Sequence, residues 1–477
     1  MTCRKSSINL YLRTYLKDCG PAAEDRNLLR KLEMNILEPE RKIPVICEAD
    51  VCVVGGGCAG VSAALKAARA GARVVILERG NCFGGTAVQG LVNVWHSLYD
   101  TDYREQIIHG ITEEIEALLL QDGAAAVENN ESAGIRFNPF RLAVIYDRLI
   151  LKENIKVYFH TYYAGMVKED GRITAVLIEN KDGRGAVKAG FFIDATGDGD
   201  LCRDAGLEAY THPYLQPPSS CSFLQNVPEK PFDIGALVKA HGAEFGLEDD
   251  WGWGGIIPGL PSLTFRADNH VFGVNCANAD ALTKAEFEGR KKSAAVSDLL
   301  KKYVDPGYEL AALCASIGIR ETVHYRTNYC VTDDDLLLGK RFPHTVMRGT
   351  YRLDRHHEED NGITFRYLDG RTDTFYGKDT AAVHGNWRAE RGITQEPAKY
   401  YCAPFEMLVQ DKIANLIPVG RMMNAEAGAF GALRVMVNLN QLGEAAGTAA
   451  VIALDEGISI NAVDGGKVVE KLGAAER

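Results

Sequence analysis

The 477-residue sequence predicts an α/β fold: a central parallel sheet with a β-meander, and an α+β segment inserted between its two halves. Three observations predict it. A short apolar strand, a glycine turn, an alanine-rich helix and a second apolar strand follow one another within residues 45–77. The turn pairs Asp170/Gly171 and Asp182/Gly183 then separate extended stretches that end near Ala195. The small-residue style of the first unit returns only after residue 400, at 416–419 and in a long helix over about 437–456.

Taken in order, residues 1–44 read as a helical extension, with Leu10, Leu16, Leu28, Leu29, Leu32 and Met34 among charges and a break at Gly20 and Pro21. Strand 51–54, helix 59–70 with its stop at Gly71, and strand 74–77 make one βαβ unit. Asn138 and Pro139 form an N-cap and first-turn pair for a helix to about Lys152. Extended segments at 157–163 and 173–179 lead into strand 191–195, which completes the meander. From His212 to Tyr400 the chain is rich in His, Arg and Tyr and has no second nucleotide fingerprint. The predicted organisation is an extension (1–44), the first part of a nucleotide-binding domain (45–211), an inserted substrate or cap domain (212–400) and the second part of the nucleotide-binding domain (401–477).

Composition excludes several classes of function. With 46% hydrophobic and 25% charged residues the chain can bury a large core, so wholesale disorder is excluded. A formal charge of −11, from 53 basic and 64 acidic side chains, repels phosphate backbones and anionic lipid, so no nucleic-acid partner is expected. Arg13 breaks the apolar stretch near the N-terminus, and the run 445–454 is shorter than the roughly 18 residues of a spanning helix. No membrane association and a cytoplasmic location are therefore expected. The 12 cysteines include no CxxC pair and no zinc spacing, which predicts reduced thiols and no metal site. Cys47 and Cys52, an odd number of residues apart in an extended run, are expected on opposite faces.

Gly55-Gly56-Gly57-Cys58-Ala59-Gly60 is a GxGxxG directly after a strand and opening a helix. Such glycines allow a tight turn, close approach to a pyrophosphate and close helix packing, while the helix N-terminus favours the anion, as in Rossmann-like domains. Glu78 ends the second strand, where a carboxylate can accept from a ribose diol. Gly84-Gly85-Thr86 follows it. A third segment, Asp194 to Asp200, is a strand end with two glycines flanked by acids. A fourth, Ile417-Pro418-Val419-Gly420-Arg421, precedes Gly428, Gly431, Arg434 and a helix starting near Val435, whose positive end can stabilise negative charge. Pro418 is expected to end its strand.

These segments, in this order, resemble the FAD-dependent oxidoreductases of the glutathione-reductase-like flavoprotein superfamily, on the branch related to the succinate dehydrogenase and fumarate reductase flavoprotein. The resemblance covers about residues 45–458 and rests on VCVVGGGCAG, VVILERGNCFGGTAVQGLV, FIDATGDGDL, GIRET with TDDDLLLG, and IPVGRMMNAEAGAFGALRVMVNLNQLGEAAGTAA. It implies FAD as cofactor, with Gly55, Gly57, Cys58, Ala59 and Gly60 at the pyrophosphate, Glu78 and Arg79 at the adenosine ribose and the Ala164 backbone at adenine. It implies that Gly84, Gly85, Thr86, Thr196, Gly197, Asp198, Gly420, Arg421, Arg434, Val435 and Met436 line the rest. Gly85 stands where the succinate and fumarate enzymes carry a flavin-linked histidine, so noncovalent FAD is expected. Their dicarboxylate-binding His and Arg signature is not recognisable in 212–400.

Flavin chemistry needs a hydride partner at N5 and a group that handles the accompanying proton. The candidates are His96, His324, His356, His357, Tyr400 and Tyr401, with His356 and His357 read as a solvated loop among charges. His96 and Arg320 are favoured as catalytic residues: His96 follows the apolar stretch after the GGT turn, and Arg320 in GIRET can clamp an anionic or polyol substrate. As a structural alternative, Arg320 pairs with Glu321 or an acid of 333–335. The expected function is hydride transfer between FAD and a small organic substrate held between the two domains, as a dehydrogenase or reductase. A flavoprotein subunit passing electrons to an acceptor or donor partner protein is the second reading, and a flavin protein of assembly or RNA modification the third. Substrate identity and oligomeric state are not read.

Overall fold

The computed structural model describes residues 36–131, 133–227, 231–247, 252–357, 359–377 and 381–473. The expected N-terminal helices fall within 1–35, outside the described residues, and 36–44 form neither helix nor strand.

The core is a seven-stranded mixed sheet. Its parallel part starts with β1 (Val45–Val54), α1 (Cys58–Arg69) and β2 (Val74–Leu77), the βαβ unit that the apolar spacing predicts. Helix α2 (Pro139–Lys152) is capped by Asn138, whose side chain accepts from the amides of Phe140 and Arg141. The extended stretch after it divides in two at His160, where φ is 49°. Its first piece, β3 (Lys156–Tyr158), joins β2 in parallel. The second, β4 (Tyr162–Glu169), forms an antiparallel meander with β5 (Arg172–Asn180) and β6 (Gly183–Asp194). Meander and parallel sheet are fused through β6, which pairs with β1 from Val45/Ala186 to Val54/Asp194.

Cys47 and Cys52 both pack in the cluster with Val54, Val75 and Leu77, Cys52 buried and Cys47 at its edge. The pairing of β1 with β6 keeps one register from Cys47/Val187 to Val54/Asp194, its one shift lying between Val45 and Cys47.

Residues 212–400 contribute a four-stranded antiparallel sheet of β7 (Ser219–Gln225), β8 (Trp253–Ile257), β9 (Leu260–His270) and β10 (Glu309–Leu313), in the order β8-β9-β7-β10. It packs through Leu224 and Leu310 on Val296, Leu299 and Leu300 of α3 (Ala279–Tyr303). A second antiparallel sheet starts with β11 (Leu353–His356). The chain then returns to the main sheet as β12 (Leu416–Pro418), parallel to β6 at Leu416/Phe192 and Pro418/Asp194. Pro418 is the last residue of this short strand, as its missing N–H requires.

The glycine-containing stretch after β12, to which the sequence reading assigns no element, holds a helix, α4 (Ala427–Leu433), buried along its length from Gly428 onwards. It leads into α5 (Met436–Glu456), with Val435 as N-cap. Helix α5 runs parallel to α1 and touches it closely. A Cβ on Gly443 would lie 2.2 Å from the Ala59 carbonyl oxygen, and one on Gly447 2.3 Å from that of Ala63. Small residues in register thus let two helix backbones meet, and the contact belongs to the largest apolar cluster.

Among the described residues no helix is long and apolar enough to cross a membrane.

Candidate functional site

Strands β1, β2, β6 and β12 all end at one edge, at Val54, Leu77, Asp194 and Pro418. The carboxyl edge of a parallel sheet is where open α/β folds bind ligands. A cleft opens there, lined from the ends of these strands and from the starts of α1 and α5.

The turn after β1 is shaped by main-chain contact. A Cβ on Gly55 would lie 2.2 Å from the Ala195 carbonyl oxygen, and one on Gly60 1.9 Å from that of Gly55. At Gly57 a Cβ would meet nothing within 4 Å, so its backbone faces open space. No side chain caps the N-terminus of α1 or of α5, and neither first turn holds an acid. Cys58 and Ala59 at the start of α1 and Met436 and Leu439 at the start of α5 all line the cleft. Two uncapped positive helix ends therefore serve one cavity, the arrangement that a dianionic pyrophosphate and an electron-rich ring system require.

Glu78 is buried at the rim. Its Oε2 accepts from the Gly56 amide at 2.7 Å and its Oε1 from the Gly80 amide at 2.6 Å, which locks the carboxylate across the turn. Asp194 at the end of β6 is spent on the fold: it accepts from the Thr196 amide and hydroxyl and from the Cys202 amide, and so shapes the turn that follows. Asp198 forms an ion pair with Arg421 at 2.6 Å and accepts from the Thr322 hydroxyl at 2.8 Å. Burial raises the Asp198 carboxyl, but Arg421 and Thr322 outweigh it and hold the group below its ordinary value.

Of the residues predicted for the cofactor, Gly55, Gly57, Cys58, Ala59, Glu78, Arg79, Gly85, Thr86, Thr196, Gly197, Gly420, Arg421 and Met436 line the cleft. Gly60, Gly84, Asp198 and Val435 stand behind its wall and shape it through the turn, the Arg421 pair and the helix start. The Ala164 carbonyl accepts from Arg184, next to the lining residues Tyr162 and Tyr163. Sequence reading did not assign to the cleft Tyr162, Tyr163 and Gln89, which reach it through the meander and the segment after the GGT turn, nor Asp200, which closes the third segment.

Arg434 points into a second, buried group around Asp354, which is 5% exposed. Arg434 donates to Asp354 Oδ2 at 2.9 Å, Tyr351 donates to the same oxygen at 3.1 Å, and Gln216 donates to Oδ1 at 3.1 Å. Burial raises the Asp354 carboxyl, but Arg434, Arg320 and Arg352 overcome it and hold it far below the ordinary aspartate range. His356 is buried, 7% exposed, which corrects the expectation of a solvated loop: it ends β11 against Phe272 and His270 instead of following the charged residues into solvent. Burial, with His270 beside it, keeps this imidazole well below its ordinary value, so it is neutral near pH 7.

Both favoured catalytic candidates meet this group. His96 stacks on Tyr351 with ring centroids 3.9 Å apart and lines a neighbouring cavity of about 620 Å³. Arg320 donates to the Pro217 carbonyl and acts electrostatically on Asp354, rather than on Glu321 or the acids of 333–335 as the structural alternative supposed. His324 contacts Glu321, and His357 is bonded to Asp360 and Thr364. Tyr401 is buried against Asn438, and the Tyr400 ring lies under Arg341.

The Asp354 group adjoins the cleft through the chain: Arg320 follows the lining residue Ile319, and Arg434 lies two positions before Met436. Three of its buried polar atoms, His356 Nδ1, Arg434 Nε and Gln216 Oε1, have no hydrogen-bond partner among the described residues.

No curated protein matches the chain. Among solved structures, a geranylgeranyl bacteriochlorophyll reductase-like protein from Thermoplasma acidophilum is 13% identical, with 90% of this chain and 83% of that chain covered and a TM-score of 0.44. The p-nitrophenol 4-monooxygenase from Pseudomonas putida is 12% identical, with 90% and 87% covered and a TM-score of 0.42. A triple mutant of a flavin-dependent brominase is 10% identical, with 90% and 84% covered and a TM-score of 0.43. The family model described as FAD dependent oxidoreductase matches residues 50–472, so the chain belongs to that family and its cofactor is FAD.

Proposed function

We propose that the chain is a dehydrogenase or reductase that acts on a small organic substrate at the Asp354 group, beside noncovalently held FAD. The observation that carries this reading is the set of unpartnered polar atoms around a buried, fully ionised Asp354, where the start of α5 meets the cleft. FAD supplies the hydride acceptor or donor at its N5.

In this reading the uncapped ends of α1 and α5, with Gly55, Gly57, Gly60 and Glu78, bind the cofactor's pyrophosphate and ribose. Arg320 and Arg434 flank one carboxylate with two guanidinium groups. In this reading the guanidinium groups orient an anionic or hydroxyl-rich substrate. Asp354 fixes Arg434 and Tyr351, and Tyr351 in turn holds His96. Neutral His356 has a free lone pair or N–H at Nδ1, so it is the group that takes or gives the substrate's proton there. Phe272 and Leu353 keep water from this imidazole.

We also read residues 212–400 as the inserted substrate domain and residues 45–211 with 401–477 as the cofactor domain. The wider placement we favour is the glutathione-reductase-like superfamily, without a second nucleotide fold. The free thiols of the described cysteines support a cytoplasmic location.

The test is anaerobic addition of hydroxy acids, polyols, sugars and amines to the FAD-loaded protein, followed by visible spectroscopy. A substrate of this set should bleach the flavin in the wild type and fail to do so in His356→Phe at unchanged FAD content. If the whole panel leaves the flavin oxidised while a reducing partner protein bleaches it, the reading fails.

A further inference from the structure

Residues from two distant parts of the chain meet behind the Arg421 turn. His212 Nδ1 lies 2.5 Å from Glu321 Oε1, and His324 Nε2 lies 2.9 Å from the same oxygen. The three candidate ligand atoms all fall within 4.8 Å of one another. His324 and Glu321 are buried, at 0% and 3% exposure, and the Phe430 and Tyr210 rings pack on His324.

The far nitrogens decide the chemistry. His212 Nε2 is 3.0 Å from the Ala425 carbonyl oxygen and His324 Nδ1 is 2.8 Å from that of Met423. A carbonyl oxygen only accepts, so both far nitrogens carry their N–H. In a neutral imidazole the near nitrogen then presents a lone pair. Both lone pairs are aimed at one carboxylate oxygen, which also only accepts. This arrangement is repulsive unless something positive lies between.

The two imidazole rings lie with centroids 4.4 Å apart, both beside that one oxygen. One dication satisfies all three lone pairs at once. The remaining contacts are those of a metal centre's outer shell: each imidazole N–H is held by a backbone carbonyl, and Glu321 Oε2 accepts from the Gln216 amide at 2.7 Å.

We propose that His212, Glu321 and His324 bind one first-row transition dication, of the kind that two imidazoles and a carboxylate select, such as Zn²⁺ or Fe²⁺. Metal–ligand bonds of about 2.0–2.2 Å require the three ligand atoms to part by less than about 1 Å. The ion ties the 212 segment to the 321–324 segment, with the carbonyls of 423 and 425 outside it. It thereby fixes Arg320 and Arg421 at the two neighbouring sites. This site does not depend on the substrate reading.

The experiment uses the FAD-loaded full chain. Elemental analysis of the purified protein and Zn²⁺ titration of chelator-treated protein should give one ion per chain. X-ray absorption at the zinc edge should show only nitrogen and oxygen ligands, imidazole among them, at about 2.0–2.1 Å. Glu321→Gln and His212→Asn, each checked for fold by flavin absorption and circular dichroism, should weaken Zn²⁺ binding by on the order of 100-fold or more. The proposal is overturned if folded wild-type protein takes up no Zn²⁺, or if both variants bind it as the wild type does. It is equally overturned if the absorption spectrum shows sulfur or no imidazole, a result that holds even where a variant does not fold.

Discussion

The cofactor cleft and the Asp354 group adjoin, yet they are built in opposite ways. The cleft is made chiefly of main chain: turns that follow strands, and helix ends whose amides are left uncapped. The Asp354 group is made of side chains drawn from residues 96, 216, 320, 351–356 and 434, each with its own backbone context. A main-chain site tolerates almost any side chain except where a glycine is required. A side-chain site depends on every charge being matched in a place water does not reach.

That contrast can be broken experimentally, and the largest effect is expected at Gly60. A methyl group there would meet the Gly55 carbonyl at 1.9 Å, a clash that only main-chain movement relieves. Gly60→Ala should therefore lose FAD and most of its soluble yield, read as flavin absorbance per chain. Retention of full FAD content would show that the turn is not limited by backbone contact.

Asp354→Ala is expected to rank next. It leaves buried Arg434 without its carboxylate and should cost about 3–5 kcal/mol in denaturant unfolding. FAD content should stay unchanged, since no cleft-lining atom is altered; loss of FAD would join the two regions into one. The pH dependence has a definite sign. The folded-state carboxyl lies below its ordinary value of 3.8, so its contribution is fully present above that value and is lost as pH falls below it. The stability gap between wild type and Asp354→Asn should accordingly narrow in acid.

The smallest effect is expected at Glu78. In Glu78→Gln the amide oxygen can serve the Gly56 or the Gly80 amide but not both, and the charge facing the ribose is gone. FAD affinity should fall by about tenfold, or ~1.4 kcal/mol, measured by titration of apoprotein.

The same contrast explains what could be read from the sequence. The helix and second strand of the first βαβ unit, the Asn138 cap and the meander turns are local patterns that the structure carries within a residue or two, whereas the first strand starts six residues earlier, at Val45, than its apolar run 51–54. The glycine segments that line the cleft were legible because glycine spacing reports main-chain geometry directly. The burial of His356 was not, because it is decided by His270 at the end of β9 and Phe272 just after it and not by the charges that follow it. The helix over 427–433 was hidden by Gly428 and Gly431, residues of low helix propensity that tertiary burial overrides.

The seam of Gly443 and Gly447 against Ala59 and Ala63 sets two parallel helices side by side with their N-termini at the same cavity. Each end carries roughly half a positive charge, so the aligned dipoles repel one another across the contact that the glycines make so short. An anion at the shared end reverses the sign of that interaction. Cofactor binding at this end and helix packing would then be one coupled equilibrium, and FAD-loaded protein should unfold at a higher temperature than apoprotein.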